Sequence, residues 1–217
     1  MHPNFSSNPH RRDQVRQQRH VDIQRLWRRL AGTPQGFVGN PANAIAPPQC
    51  GTLQVRAAGS GNEDGSGDVS WGDPTLISAA EASAAHCLLP SLGGMSSRLI
   101  SNTHGFDIPD AAVIGGIYVR IWRSRDVHAP VMDESVWLTK DGVTGVGAPR
   151  WSDEIWPVTE AFAVYGDAGD LWEASWTADE INAPTFGAMV RVQSPSGSAF
   201  VTAYVDMIEI SVCYAVS

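Results

Sequence analysis

The sequence predicts an all-β protein: an antiparallel, jelly-roll-like β-sandwich preceded by an N-terminal amphipathic helix and an extended arm. Apolar side chains after residue 69 alternate with polar ones at every second position, which is the period of a β-strand. Turn residues separate these stretches at roughly ten-residue spacing, as in antiparallel sandwiches. The chain also holds 21 glycines and 14 prolines among its 217 residues, so many turns and short strands are expected.

Composition and charge narrow the class of protein. Charged residues make up 18% of the chain and apolar residues 43%, which favours a folded protein over a solvated disordered chain. No apolar run approaches the ~18 residues of a membrane-spanning helix, so no membrane insertion is expected. The net charge of −8 combines +5 in residues 1–30, where seven arginines face two aspartates, with −13 in the remainder. This asymmetry indicates a basic arm that meets a phosphate or an acidic protein surface; a solvated arginine-rich helix is the alternative.

Residues 1–68 are predicted to form an anchoring arm that begins with a helix at about residues 13–31. Its apolar residues recur at the spacing of one helical stripe, and Gly32 and Pro34 end it. A short helix with one apolar stripe is marginal alone and needs a surface to dock on, either on this chain or on another subunit. The predicted partner-binding residues are the stripe and the arginines beside it: Ile23, Leu26, Trp27, Leu30, Arg25, Arg28 and Arg29.

The rest of the arm, residues 33–68, differs in composition. Its first half is rich in proline and is predicted to be an extended, semi-rigid strap, and Gly59–Asp68 is predicted to be a flexible linker or loop tip. The sequence therefore places the domain boundary near residue 68, with the β-sandwich domain over residues 69–217.

Four stretches of the predicted sandwich alternate clearly. Their apolar faces consist of Val113, Ile117, Val119 and Ile121; Val136 and Leu138; Phe186, Ala188, Val190 and Val192; and Val201, Ala203 and Val205 followed by Ile208, Ile210, Val212 and Tyr214. The last series slips by one residue near Asp206 and Met207, which predicts a β-bulge or a strand break there. Thr177 and Glu180 have the spacing of a capping box, which predicts one short helix that ends before Pro184.

The three cysteines, Cys50, Cys87 and Cys213, lie far apart and form no CxxC pair. They are predicted to be buried free thiols, because the N-terminal residues lack the apolar core of a secretory signal and synthesis in a reducing cytoplasm is expected. No histidine pair accompanies them at metal-ligand spacing, so no metal or other cofactor is expected.

Catalytic signatures are absent from the sequence. Residues 67–72 lack the spacing of a GxSxG nucleophile elbow, and His86, His104 and His128 form no HExxH arrangement. His104 is expected to be a loop histidine whose ring is satisfied by hydrogen bonds.

The sequence also lacks a pair of carboxylates arranged as in the active site of a glycosidase. Asp133 with Glu134 and Asp153 with Glu154 are adjacent in sequence, so on a strand each pair points to opposite faces and cannot act on one substrate. The chain is therefore predicted not to be an enzyme, and no catalytic residue is assigned.

The tryptophans divide into two predicted groups. Trp71, Trp172 and Trp176 are expected to pack in the core or in loop lids. Trp151 and Trp156 lie in a loop-like stretch with acidic neighbours, where exposure is expected, and an exposed tryptophan beside carboxylates suits sugar binding by stacking and hydrogen bonding. The candidate ligand-binding residues are Trp151, Trp156, Asp167 and Asp170. Covering a neighbouring subunit is the other interpretation of the exposed tryptophans.

Short motifs follow one another along the predicted sandwich. They are Ser70-Trp71-x-x-Pro74, Ser97-x-Leu99, Gly105-Phe106-x-Ile108-Pro109, Ile114-x-Gly116-Ile117, Asp133-x-Ser135-Val136-x-Leu138, Tyr165-Gly166, Asp170-Leu171-Trp172, Trp176-Thr177-x-x-Glu180-Ile181-Asn182, Phe186-Gly187 and Ala203-Tyr204-Val205-Asp206-x-Ile208-x-Ile210-x-Val212-x-Tyr214. In this order they resemble a β-sandwich module of tailed-bacteriophage virion proteins, over about residues 69–217. Related modules usually have Leu-Trp-Gly where this chain has Leu171, Trp172 and Glu173. The resemblance carries no catalytic motif onto this sequence.

The resemblance implies a structural protein of a phage particle, either a capsid decoration or head spike or a tail-associated component. Such a protein is made in the host cytoplasm and located in the virion. Its expected partners are other virion proteins (capsid, portal or neck, or tail subunits) and further copies of itself in a homo-oligomer, for which a trimer is considered.

The sequence is also compatible with two other classes of function. One is a host-receptor or carbohydrate-binding module of a tail fibre or appendage, with a host-surface glycan as its ligand. The other is nucleic-acid binding through the arginine-rich arm, but the chain holds a single lysine and an acidic body, which argue against a dedicated nucleic-acid-binding protein.

Overall fold

The computed structural model describes residues 50–78, 83–91, 93–195 and 199–216. The predicted helix at residues 13–31, its candidate anchoring residues and the proline-rich part of the strap lie outside the described residues. Within them, no helix is both long and apolar enough to cross a membrane. In chain order the elements are β1 (Thr52–Ala57), β2 (Ser60–Glu63), β3 (Ala85–Leu89), β4 (Leu99–Asn102), β5 (Ala112–Arg125), β6 (Met132–Thr139), β7 (Gly145–Arg150), β8 (Ala161–Gly166), α1 (Ala178–Asn182), β9 (Gly187–Gln193) and β10 (Val201–Val216).

The strands of the described residues form two five-stranded antiparallel sheets. The order in the first sheet is β1-β10-β5-β8, and β3 pairs with β10 as well. The order in the second sheet is β2-β4-β9-β6-β7. From β3 onward, the sequences β3-β10-β5-β8 and β4-β9-β6-β7 are those of a jelly roll. The predicted all-β antiparallel sandwich is therefore confirmed.

The long strands turn their predicted apolar faces into the core between the two sheets. Side chains with 0% exposure include Val136, Leu138, Phe186, Ala188, Val190, Val192, Val201, Ala203, Val205, Ile208, Ile210 and Val212. Removing this much apolar surface from water is the main force that holds two sheets together. The pairing of β10 with β5 shifts register between Val205 and Met207, so the predicted bulge at Asp206 is confirmed.

One residue of the predicted β5 face lies on the wrong side. Val113 is 67% exposed, whereas its neighbour Ile114 is buried. The pairing of β5 with β10 shifts register again at this point, and Gly115 is the extra residue. A one-residue insertion in a strand exchanges its two faces, and because glycine has no side chain, the alternation of apolar residues does not reveal it.

The predicted capping box is confirmed. The Thr177 hydroxyl accepts the backbone N–H of Glu180 at 3.3 Å, and the Glu180 carboxylate accepts the backbone N–H of Thr177 at 2.9 Å. These bonds satisfy two N–H groups that have no partner within a helix. The resulting helix α1 is only five residues long, as its early stop signal predicts.

The sandwich begins earlier than the predicted boundary at residue 68. Residues 52–57, assigned to the strap, form β1 against β10, and residues 60–63, assigned to the linker, form β2 against β4. A side chain at Gly61 would lie 2.1 Å from the carbonyl oxygen of Pro74, so this glycine permits close packing. Glycine-rich composition suggested a flexible linker, but the ladder hydrogen bonds and this close approach order the segment.

The three tryptophans expected in the core or its lids are all buried. Each donates its indole N–H to a backbone carbonyl, which removes the cost of burying a polar group. The pairs are Trp71 to Ser97 at 2.9 Å, Trp172 to Ile117 at 2.8 Å and Trp176 to Leu171 at 3.0 Å.

Two of the three cysteines are paired, so the expectation of free thiols is wrong for them. Cys50 and Cys213 form a disulfide, with their Cα atoms 5.2 Å apart and a separation of 163 positions in sequence. The pairing of β1 with β10 brings them together, and neither their spacing nor their neighbours indicate it. Cys87 is free and buried. Burial raises the pKa of its thiol to about 12, which keeps it protonated and unreactive.

His104 is a buried loop histidine with hydrogen bonds at both ring nitrogens, as predicted. Its Nδ1 lies 3.2 Å from the carbonyl oxygen of Arg56, and its Nε2 lies 3.0 Å from the Ser101 hydroxyl. A carbonyl oxygen only accepts, so Nδ1 carries the proton and Nε2 accepts from the hydroxyl. Burial lowers the pKa of His104 from 6.5 to about 4.

Stability is therefore expected to fall as the pH is lowered from 6.5 to 4. In this window the unfolded chain binds a proton at His104 that the folded chain does not, and the loss is complete near the folded pKa. The shift corresponds to about 3 kcal/mol. Urea unfolding at pH 7.5 and pH 4.5 measures it. A His104→Gln variant should flatten the dependence and a His128→Gln variant, at an exposed histidine, should retain it; equal slopes in both would contradict the assignment.

Candidate functional site

Four loops meet at one end of the sandwich, as the jelly-roll order requires. They join β3 to β4, β5 to β6, β7 to β8 and β9 to β10, and we call this region the loop end. Asp126 in the second loop and Thr202 at the start of β10, just after the fourth loop, exchange hydrogen bonds of 3.0 and 2.8 Å. The backbone N–H of Trp156 bonds the carbonyl of Val131 at 2.8 Å. These bonds fix the relative positions of the second loop, the third loop and the end of the fourth loop that leads into β10.

The loop end exposes large apolar side chains from these three loops. Between 48% and 70% of their surface is in contact with solvent. They are Val127, Trp151, Ile155, Val158 and Phe200. Single exposed apolar residues are common, but a group at one end of a domain is typical of a contact surface.

A buried polar network lies directly beneath the loop end. The Asp133 carboxylate accepts hydrogen bonds from Arg123 at 2.5 Å, Trp156 at 2.7 Å and Tyr165 at 2.8 Å. It also accepts the backbone N–H of Ser152 at 2.8 Å. The Tyr165 hydroxyl accepts a further bond from Arg123 at 2.6 Å. Burial, and then the charge of Asp133, raise the pKa of Tyr165. The network joins β5 and β8 of one sheet to β6 of the other.

This network shows that one candidate ligand residue was misplaced. Trp156 is fully buried, with its indole against the Arg123 guanidinium and its N–H on Asp133, so its predicted exposure is wrong. Trp151 is 59% exposed, as predicted. Sequence reasoning could not separate these two tryptophans, because the partner that buries Trp156 comes from a strand about 20 residues away in the chain.

The two candidate aspartates lie in the loop between β8 and α1, beside the edge of β7. Asp170 binds Arg150 through both of its oxygens, at 2.9 and 2.8 Å. Hydrogen bonds from Arg150 and Trp172 lower the pKa of Asp170 although burial opposes them. Asp167 is exposed, and its carboxylate accepts the N–H of Gly169. Asp170 is therefore fixed on Arg150, the residue before Trp151, whereas Trp156 is buried against Asp133.

Glu173 occupies a left-handed backbone conformation in the same loop, with φ of +57°, and Trp172 before it has φ of +59°. A residue with a side chain is strained in this conformation and glycine is not. This is a physical reason to expect glycine at this position, where the modules that the sequence resembles usually have it.

Glu173→Gly is therefore expected to raise the free energy of unfolding by about 1 kcal/mol. Chemical denaturation of the two proteins measures the change. Ser175→Gly is the matched control, because Ser175 is an exposed residue nearby without a positive φ, and it should lower stability by about 0.5 kcal/mol. Destabilisation by both substitutions to a similar extent would contradict strain at Glu173.

A pocket of about 410 Å³ opens on the outer face of the first sheet, close to the loop end. Its floor includes a row of cross-strand neighbours, His86, Tyr204 and Ser124, on three adjacent strands. The full lining is Asp73, Ser83, Ala84, His86, Trp122, Arg123, Ser124, Glu160, Tyr204 and Asp206. No contiguous sequence motif marks this pocket. The phase slip at Asp206 is its one signal in the sequence, because bulges often redirect a side chain at a functional site. Among the described residues, no group of three or more His, Cys, Asp or Glu side chains is placed to hold a metal ion.

The fold and the loop end define a jelly-roll β-sandwich domain with a group of exposed apolar side chains at one end. No protein-family model and no curated protein matches the chain. Solved structures that are similar to it include the carbohydrate-binding module TmCBM61 in complex with β-1,4-galactotriose. That match has a TM-score of 0.35 and 8% identity and covers 74% of this chain and 88% of the other. The enzymatically active domain of tailspike protein 4 of bacteriophage CBA120 matches with a TM-score of 0.34 and 11% identity, over 77% of this chain and 20% of the other.

Proposed function

We propose that the chain is a structural protein of a tailed-bacteriophage particle, anchored by its N-terminal arm and displaying the β-sandwich. The observation that supports the proposal is the ordered set of motifs that resembles a virion module. These motifs supply buried side chains of the core, among them Trp71, Phe106, Trp172 and Phe186. The likeness therefore concerns residues that build the sandwich itself.

The loop end supplies a surface for the assembly. Its apolar side chains lie on loops that are already fixed by hydrogen bonds, so little conformational entropy is lost when a partner covers them. Within the particle, the proposed partners are capsid, portal or neck, or tail subunits and further copies of the chain.

The first experiment locates the protein in purified particles by mass spectrometry and by a map of the particle. If the proposal is correct, the map shows the sandwich at a defined position on the particle. Absence of the protein from purified particles would overturn the proposal. Phe200→Asp should reduce incorporation, since a charge would be buried in the contact. Val143→Asp is the control, because Val143 is similarly exposed but lies in the β6–β7 turn, away from the loop end.

A second candidate is carbohydrate binding at Trp151. The observation that favours it is a largely exposed indole close to the exposed carboxylates of Asp153 and Glu154, a combination that serves for stacking and hydrogen bonding to a sugar. A glycan array on the wild type and on Trp151→Ala tests it. Ile155→Ala is the control, because Ile155 is similarly exposed but offers no ring to stack on. No binding to any glycan, or equal loss in both variants, would eliminate this candidate.

A further inference from the structure

We propose that β8 pairs with the β8 strand of a second copy of this chain, so that the first sheets of two sandwiches join edge to edge across a two-fold axis. β8 is the last strand of the first sheet, and β5 occupies one of its sides. On its other side, no backbone group of the described residues bonds it. The proposal concerns a surface other than the loop end and does not depend on the location of the protein in a virion, so either proposal can fail without the other.

The opposite edge of the first sheet is protected. An open edge presents unpaired N–H and C=O groups, and soluble proteins block it with charges, prolines, short strands or covering loops. β1 carries the charged Arg56, whose backbone carbonyl accepts the His104 ring N–H at 3.2 Å. In β3, the backbone of His86 exchanges hydrogen bonds of 2.7 and 3.1 Å with Gly72, in the segment before the strand.

Both edges of the second sheet are protected as well. β2 is only four residues long and ends in the charged Glu63. β7 contains Pro149 and ends in the charged Arg150. The backbone N–H of Ala148 in β7 also donates to the carbonyl of Trp172, in the neighbouring loop, at 2.9 Å. Each of these edges therefore resists pairing with another chain.

The strand β8 has none of these devices. Its sequence, Ala-Phe-Ala-Val-Tyr-Gly, contains no charged residue and no proline. Two of its side chains on the outer face of the sheet are exposed, Phe162 by 40% and Val164 by 48%. Phe162 is held in place by the Trp122 ring, whose centre lies 5.7 Å away. A neutral, apolar edge of this kind is typical of a strand that pairs with another chain.

A second copy of β8 matches this edge. An open edge is covered by another open edge, and among the described strands β8 is the one that offers it. Opposed residues of a continuous sheet lie on the same face, so a two-fold axis between antiparallel strands passes through a residue. With the axis at Ala163, Phe162 of each copy lies opposite Val164 of the other. Pairs of an aromatic and a β-branched residue stabilise antiparallel sheets, and this register covers the exposed side chains of both copies.

The same register avoids repulsion between two acidic chains. Each chain has a net charge of −8, and like charges directly opposite each other destabilise a strand pair. With the axis at Ala163, Glu160 lies opposite Gly166, and Asp167 lies opposite Thr159. No carboxylate therefore faces a carboxylate along the paired strands. Because this pairing uses the same edge in both copies, it closes at a dimer.

Sedimentation velocity of the full chain, from about 1 to about 200 µM, tests the pairing. We expect the mass to rise with concentration from that of one chain to that of two. Val164→Lys should weaken the dimer at least about tenfold, because an ammonium group would lie against an apolar partner. Val113→Lys is the matched control, because Val113 is exposed on the same sheet but precedes the part of β5 that pairs with β8. Val113→Lys and the loop-end variant Phe200→Asp should leave the dimer unchanged.

Disulfide cross-linking tests the register. Opposed Cα atoms of antiparallel strands lie about 4.5–5.5 Å apart, which is within the range of a disulfide. Ala163→Cys should therefore form a covalent dimer when oxidised glutathione is supplied as the oxidant. Ala161→Cys is the control, because Ala161 is on the same face of the same strand, but its two copies would lie about 14 Å apart and should not cross-link.

Several results would each overturn the proposal. They are the mass of a single chain at every concentration, a trimer, a dimer as strong in Val164→Lys as in the wild type, and cross-linking that is equal in Ala163→Cys and Ala161→Cys. If Val164→Lys lacks a folded amide spectrum, Phe162→Lys takes its place with the same expected weakening. A dimer that Phe200→Asp disrupts and Val164→Lys does not would place the contact at the loop end.

Discussion

Replacing Asp133 by alanine is expected to lower the free energy of unfolding by about 3–5 kcal/mol. The substitution removes the acceptor of four hydrogen bonds and leaves the Arg123 guanidinium, which is 3% exposed, without its counter-charge. A buried charge that loses its partner retains the full cost of its desolvation. Urea or guanidinium unfolding at neutral pH measures the loss.

Variants that remove different parts of the Asp133 network distinguish the loss of its hydrogen bonds and ion pair from a general effect of mutation. Tyr165→Phe removes one hydroxyl and should cost about 1–2 kcal/mol, and Asp153→Ala, at an exposed carboxylate in the neighbouring loop, should cost less than about 0.5 kcal/mol. The double variant Arg123→Met with Asp133→Leu should recover part of the loss, because neither charge remains. A double variant less stable than Asp133→Ala would show that the ion pair is not the source of the effect.

The elements that the sequence predicts correctly are those with local signals. The period-two faces of β6, β9 and β10, the bulge at Asp206 and the Thr177 capping box can each be identified within a few residues of sequence. The parts that it does not predict are created by distant partners. Strands β1 and β2 have little apolar periodicity, and pairing with β10 and β4 orders them. The Gly115 bulge cannot be detected from the alternation of apolar and polar residues, because glycine has no side chain to place on either face.

In the candidate site, too, local signals predict some features and distant partners determine the others. The exposure of Trp151 can be predicted from its loop-like surroundings. The burial of Trp172 can be predicted because most tryptophans pack in the core and satisfy their indole N–H with a hydrogen bond. Trp156 was assigned to the surface because its acidic neighbours suggested solvent, whereas the acid that matters is Asp133 on another strand. The pocket was missed because its walls come from five separate segments. Only the fold brings them together.

Cleaving the Cys50–Cys213 disulfide is expected to lower the free energy of unfolding by about 2–5 kcal/mol. The bond closes a loop of more than 160 residues, so its loss frees a large part of the unfolded chain, and long loops give the larger effects. Cys50→Ser is the suitable variant because Cys50 is exposed, whereas Cys213 is buried, so Cys213→Ser would add the cost of a changed core.

A thermodynamic cycle provides the control. A reducing agent should lower the unfolding midpoint of the wild type to that of Cys50→Ser and should leave Cys50→Ser unchanged. Alkylation of the unfolded, unreduced wild type should label Cys87 alone, and three cysteines should react after reduction. If all three react without reduction, or if the reducing agent shifts both proteins equally, the disulfide does not contribute as proposed.

The bond also links stability to where the protein is located. Thiols stay reduced in a cytoplasm and oxidise outside it. Under the proposed location in a virion, chain recovered from the producing cell under rapid alkylation should carry three free thiols, and chain from released particles should carry one. The gain in stability would then come after assembly, when the protein leaves the cell. Because Cys50 lies two residues before β1, which pairs with the last strand, the bond fixes the start of β1 to β10.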